Sequence, residues 1–308
     1  EGSTYIFDQS DSSNAGHPIR FGTSANGTDY TTGVTHTGTP GSAGAKTTLV
    51  LGTGVATLYY SCANHSGMGG QINTNSTAGA SNFDGSIQAT VKANPTAGFS
   101  IVTYTGSSSG STVGHGLNAA PEFIIGKRRD GTSEWSCYHK SLGNDKAIIL
   151  NTTAAAGSSS TWNSTTPSSS VVTLGSAHSV NFSSYTHVLY CFAPVAEYSS
   201  VGSYTGNGSA DGPFVYTGFR PSWVMVKVTS TTNSWVIIDS ERDSYNIAGQ
   251  RLRANLSNPE DTQDAVDFLS NGFKVRSATA STWNDLNHTY LYISFAENPF
   301  SANGGLAR

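Results

Sequence analysis

Phe99-Ser100-Ile101-Val102-Thr103-Tyr104-Thr105-Gly106 is the stretch that decides the fold, because its end returns as Tyr204-Thr205-Gly206. The same offset of 100 positions separates Pro121 from Pro221, Lys127 from Lys227 and Trp135 from Trp235. The copies close alike, Phe192-Ala193 being answered by Phe295-Ala296. Positions 99–195 and 201–300 are therefore two copies of one unit. In the first copy, short apolar runs at 99–104, 123–127, 135–138, 147–150, 171–174 and 187–192 read as strands. In the second, 223–227, 235–238, 273–276 and 290–295 match them. Some six strands in about 100 residues fit an antiparallel sandwich.

Working outward, residues 1–73 form a first unit and 74–98 a polar connector with one alternating strand at 87–91. The repeats then occupy 99–198 and 199–308. The expected fold is all-β: an N-terminal β-sandwich followed by two tandem antiparallel sandwich domains. Pro121 and Pro221 each stand just before a strand, where no ladder donor is needed. Phe268-Leu269-Ser270-Asn271-Gly272-Phe273 reads as a hairpin with Asn-Gly at its turn. The best helix signal is a turn or two within 259–268, where Pro259 and acidic residues sit in front. Trp135 and Trp235 are expected to plug the two sandwiches.

Charged residues make up only 12% of the 308, with a net charge of −4, and 34 glycines take part of their place. That balance excludes the basic footprint of a nucleic-acid binder. Lys127-Arg128-Arg129 is followed by Asp130-Gly131 and reads as a solvated turn. No apolar run is long enough to span a membrane. The chain begins with Glu1 and shows no secretory leader. Three cysteines, Cys62, Cys137 and Cys191, are too few for a disulfide framework. Cys137 and Cys191 read as buried small side chains, a bridge between them being the alternative. Asp239-Ser240-Glu241-Arg242-Asp243 reads as a solvated loop and His115, in a Gly-rich turn, as structural. The Asn-x-Ser/Thr triplets, Asn207-Gly208-Ser209 among them, are expected by chance in a chain of this composition.

Chemistry concentrates in Tyr59-Tyr60-Ser61-Cys62-Ala63-Asn64-His65-Ser66-Gly67-Met68-Gly69-Gly70. Cys, His and Met at this spacing, after an aromatic strand, bring a thiolate, an imidazole and a thioether to one short turn. With a second imidazole they form the ligand set of a blue-copper site. His17, in Asn14-Ala15-Gly16-His17-Pro18, is the candidate for that imidazole.

Residues 4–73 resemble the cupredoxins, the Cys-His-Met spacing being similar to that of the short-loop amicyanins. The resemblance implies trigonal ligands His17, Cys62 and His65, with Met68 axial. Ala63-Asn64 stands where that family usually carries a proline, and Pro18 directly follows the first histidine. The alternative keeps the fold and uses the loop side chains for packing; no cofactor is then expected, against copper in the first reading.

Nearly the whole chain resembles the modular structural proteins of marine tailed bacteriophages, cyanophages especially. The segments that carry this are 7–18, 58–70, 98–106 and Phe295-Ala296-Glu297-Asn298-Pro299-Phe300. The resemblance implies a non-enzymatic virion protein on the particle exterior, assembled in the host cytoplasm. A tail-fibre or receptor-binding appendage and a capsid decoration protein are its two forms. Other virion proteins and further copies of the chain, as a trimer, are the implied partners, with a host surface glycan as a third. Trp162, Phe182 and Trp283 are the candidate exposed aromatics for a glycan. The competing readings are a copper-binding module, or an extracellular adhesin or filament subunit at a bacterial surface.

Overall fold

The computed structural model describes residues 3–52, 55–72, 74, 79–107, 110–277 and 282–299. Phe300, the end of one family-like segment, lies outside them. The protein is all-β, and among the described residues the strand ladders of defined register are antiparallel, with one isolated parallel bridge between Ile87 and Val113. It divides into two compact units, Glu1–Ala80 and Ser81–Arg308.

The first unit holds β1 (Ser3–Asp8), β2 (Ile19–Gly22), β3 (Val34–Thr37), β4 (Lys46–Leu51), β5 (Leu58–Cys62) and β6 (Gly69–Ile72). They form two three-stranded sheets, β1-β4-β3 and β2-β5-β6. Alternation on β4 sends Leu49 and Leu51 inward, where they meet Phe21 from β2 and Leu58 from β5. Both sheets thus contribute to one core. Thr47 is buried among these apolar residues because its hydroxyl donates to Gln9 Oε1 at 3.0 Å.

The second unit opens with β7 (Ala80–Asn82), β8 (Ala89–Asn94), β9 (Phe99–Thr105), β10 (Thr112–Gly114), β11 (Phe123–Arg128), β12 (Ser136–His139), β13 (Gly143–Ile149), β14 (Gly157–Ser158), β15 (Val171–Thr173) and β16 (Thr186–Phe192). It continues with β17 (Ser199–Thr205), β18 (Phe214–Tyr216), β19 (Pro221–Val228), β20 (Val236–Asp239), β21 (Ala248–Arg253), β22 (Asp261–Leu269), β23 (Gly272–Val275) and β24 (Thr289–Ala296). The first eight-stranded sheet runs β14-β13-β12-β11-β16-β9-β8-β7, and β10 and β15 pair separately. The second sheet runs β17-β24-β19-β20-β21-β22-β23-β18. The block β13-β12-β11-β16-β9 has the same strand order as β21-β20-β19-β24-β17, one block from each copy.

The two sheets pack on each other instead of standing as separate domains. Phe123, Cys137 and Ile148 of the first share one cluster with Met225, Trp235, Leu291 and Ile293 of the second. Trp235 lies in this shared layer, and its indole N–H donates to Ile149 O at 3.0 Å. Each sheet buries its other face in a cluster of its own, around Ile124 and Val102 in the first and Val224 and Phe268 in the second. The segment expected to be a connector supplies β8, which pairs with β9 along its length. It is an integral part of the first sheet.

Two local expectations are corrected. Residues 261–268 form strand, not helix: β22 pairs with β21, and Asp261 binds Arg251 and Arg253 there at 2.7 Å each. Cross-strand burial and these ion pairs outweigh the helix-start signal. The 268–273 hairpin is present, but Leu269 faces Gly272, so Ser270-Asn271 makes the turn. Phe268 and Phe273, both buried, face each other and set that register.

All three cysteines are free and buried. Cys191 faces Ile124 and Cys137 faces Ile125, neighbouring positions on one strand. They therefore point to opposite faces of the sheet, which excludes a bridge between them. Burial pushes the Cys191 thiol up to about 12 and the Cys137 thiol higher still.

Candidate metal centre

Strand pairing brings the two ligand-bearing segments together. Ile19 opens β2 opposite Cys62 at the end of β5, so His17-Pro18 and the loop after Cys62 leave the sheet side by side. Ala63 N–H donates to Pro18 O at 2.8 Å, and Asn64 Nδ2 to Gly16 O at 2.9 Å. Gln9 Nε2 holds His17 O at 2.9 Å. The loop closes on itself where Cys62 N–H donates to Met68 O at 2.9 Å. Gly67 permits that closure because its φ of +84° lies in the left-handed region.

One ligand atom each from His17, Cys62 and His65 lies within 4.8 Å of the others. Cys62 Sγ is 3.3 Å from His65 Nδ1 and 3.7 Å from His17 Nδ1. The two imidazoles lie with ring centres 4.5 Å apart and planes tilted by 34°. A single ion with bonds of about 2.3 Å to sulfur and about 2.0 Å to nitrogen needs N–S separations of about 3.5–3.7 Å at tetrahedral to trigonal angles. The observed pair of distances brackets that requirement. The donor set, one soft thiolate and two imidazoles, suits copper or zinc and excludes magnesium or calcium. Cys62 is buried, His17 half-buried and His65 exposed, so the centre is open on one side.

Met68 borders the same opening and is 50% exposed. A cleft of about 540 Å³ lined by Phe7, Asp8, Asn14, Ile19, Tyr60 and Met68, among others, leads to His17 and Cys62. Asp8 in its wall is held ionised below the usual carboxylate range by the hydroxyl and N–H of Ser10.

The aromatics expected at the surface fare differently. Trp162 and Trp283 are fully buried, which corrects both as candidate ligand-binding residues. Trp162 packs edge-on against Tyr138 at 5.9 Å, and Trp283 lies in the outer core of the second sheet. Each indole is worth more inside than out because it removes a large apolar area from water. Phe182 is 38% exposed and stacks on His178 at 4.1 Å.

His115 is buried and structural: its Nε2 donates to Ser168 O at 3.2 Å while Nδ1 accepts from Leu117 N–H at 3.3 Å, and burial lowers its pKa. The basic triplet is not wholly the expected solvated turn: Lys127 and Arg128 end β11 half-buried and the exposed bend begins at Arg129, with Arg128 binding Asp130 at 2.7 Å and covering the Tyr185 ring at 3.5 Å. The acidic loop is tied by Arg242, which pairs with Asp239 at 2.6 Å and Glu260 at 3.0 Å. Sequence reasoning missed Gln9 and Asn64, which orient the candidate ligands; no pattern in the sequence announces such long-range contacts.

Among the described residues, no helix is long and apolar enough to cross a membrane. A family model described as a domain of unknown function, DUF7483, matches residues 71–299, and the chain belongs to that family. No curated protein and no solved structure gives a significant match to the chain.

Proposed function

The family carries no function with it, and its matched span leaves the ligand cluster outside; we propose that this member binds a soft transition metal, copper, through His17, Cys62 and His65, with Met68 the fourth donor. The convergence of three ligand atoms within 4.8 Å carries the reading. Copper supplies electron transfer where such a site is occupied. The chain's own part is to present the thiolate beside two imidazoles and to hold both strand ends by the Ala63–Pro18 and Asn64–Gly16 bonds. The likeness to cupredoxins supports the choice of copper over zinc. Titration of the full chain with Cu(II) should produce an intense visible sulfur-to-copper band that Cys62→Ser abolishes. A chain without that band, or a variant that keeps it, sinks the reading.

A second reading concerns the whole molecule: a non-enzymatic structural protein on the exterior of a tailed phage particle, as a fibre, receptor-binding appendage or capsid decoration. The apolar layer shared between the repeat sheets favours it, because it joins the two copies within one compact unit instead of leaving them as loosely linked domains. The likeness to marine phage structural proteins is its other support. A trimer contacting other virion proteins is the expected assembly. Immunogold labelling of particles and cells tests the location. Gold on tail or head agrees with it, and gold on cells alone replaces it with the adhesin or filament reading.

A further inference from the structure

The two repeat sheets differ sharply in bulk at one matched cross-strand pair. Val226 faces Val236 in the second sheet, and both are fully buried in its outer core. The equivalent pair in the first sheet is Gly126 facing Ser136. A Cβ on Gly126 would lie 2.5 Å from Val180 Cγ1, so Val180 occupies the space that a valine fills in the other copy. Beside it, Ser136 lines a cleft of about 530 Å³ in the first sheet. That volume lies within the range of small-molecule sites.

The floor of this cleft is built from hydroxyls. Ser136 Oγ and Ser179 Oγ are 2.8 Å apart, and Ser159 Oγ and Thr161 Oγ1 are 2.6 Å apart. Ser136, Thr161 and Ser179 are buried side chains. Each such pair consumes one hydroxyl hydrogen, leaving a second O–H and several lone pairs for a ligand. Ala147 and Ile149 add apolar wall. Glu134 stands exposed at the rim, and among the described residues no cation pairs with its carboxylate. The exposed ring of His178 also lines the cleft; outside the lining it is backed by Phe182, on which it stacks at 4.1 Å, and Phe182 stacks on Tyr185 at 5.3 Å. Arg128 pins the far end of that stack from above Tyr185.

We infer that this cleft binds a neutral saccharide, its hydroxyls taken by the Ser/Thr floor and Glu134 and a C–H face laid against the His178 ring. Hydroxyls that both donate and accept match a sugar's own, and a carboxylate acceptor makes the stronger, charge-assisted bonds. The aromatic edge takes the apolar face that a pyranose also has. An anionic ligand is disfavoured by Glu134, and an apolar one by the hydroxyl floor, whose groups it would leave unpaired. The inference needs neither the metal nor the virion location, so either can fail while it stands.

The test uses the full chain, with saturation-transfer NMR and calorimetry against maltotriose, cellotriose and tri-N-acetylchitotriose, and sialyllactose as an acidic comparison. At least one neutral probe should bind saturably and better than sialyllactose. His178→Ala and Ser136→Val, the latter installing the residue of the second copy, should each weaken it by roughly tenfold or more. His178 is exposed, so its variant keeps the test decisive if Ser136→Val folds poorly. Saturable binding to none of the neutral probes, or binding unchanged in both variants, overturns the inference.

Discussion

Acidification should loosen the junction between the two repeat sheets through His139. This side chain is 1% exposed at the end of β12. Its Nε2 donates to Tyr292 O on β24 at 3.2 Å, and its Nδ1 accepts from Ser141 N–H at 3.2 Å. Both nitrogens are committed to the neutral ring, and a second ring proton would face another donor. Burial lowers the pKa from 6.5 to about 4. Between those values the unfolded chain carries the proton and the folded chain does not, so stability falls as pH falls. The loss amounts to about 2 kcal/mol on going from about pH 7.5 to about pH 5, and to about 3 kcal/mol below pH 4. His115 and His187 are also lowered by burial and act in the same direction. The contribution of His139 is therefore read by difference. Urea denaturation at both pH values should show wild type losing about 2 kcal/mol more than His139→Gln. Equal losses in the two proteins, or a His139 ring that titrates between pH 6 and 7 by NMR, would refute the reasoning.

Trp235→Ala should cost about 3–5 kcal/mol in a denaturation experiment, because it empties the shared layer and strands Ile149 O. Gly126→Val, although it copies Val226, should destabilise by about 1–3 kcal/mol, since Val180 already fills the space; a neutral result would mean that Val180 moves freely. Tyr204→Phe should cost about 1 kcal/mol through the lost bond from its hydroxyl to Trp283 O at 2.8 Å. In the metal-free native chain at neutral pH, a thiol reagent should label Cys62 first, as Cys137 and Cys191 are wholly buried with raised pKa values; mass spectrometry after brief labelling reads this directly.

What the sequence made legible follows from range. Strand runs such as 99–104 and 187–192 announce themselves through local composition, and they are β9 and β16 in the structure. The repeat was legible as a constant offset, and the matched strand order of the two blocks is its physical counterpart. Alternation along a strand says that both faces of β11 are apolar, yet not what covers each. Phe123 and Ile125 could have met any partner, and only the fold brings them to the second copy. For the same reason Trp162 and Trp283, in hydroxyl-rich loops, read as exposed although their loops turn them into the cores.

The contrast between the two candidate sites makes the same point. Cys62, His65 and Met68 sit in one short loop, so their spacing alone implied convergence, and His17 was the single long-range guess. The saccharide cleft draws on Glu134, Ser136, Ala147, Thr161, His178 and Ser179, scattered along the chain with no motif among them. Its one trace in the sequence is comparative: Gly126 and Ser136 stand where the second copy has Val226 and Val236. A duplicated unit needs the same core positions in both copies to stay sealed. In the first copy the pair stays buried, Gly126 under Val180, yet it puts a hydroxyl where the other copy has an apolar side chain, and ligand binding gives a physical reason for the difference.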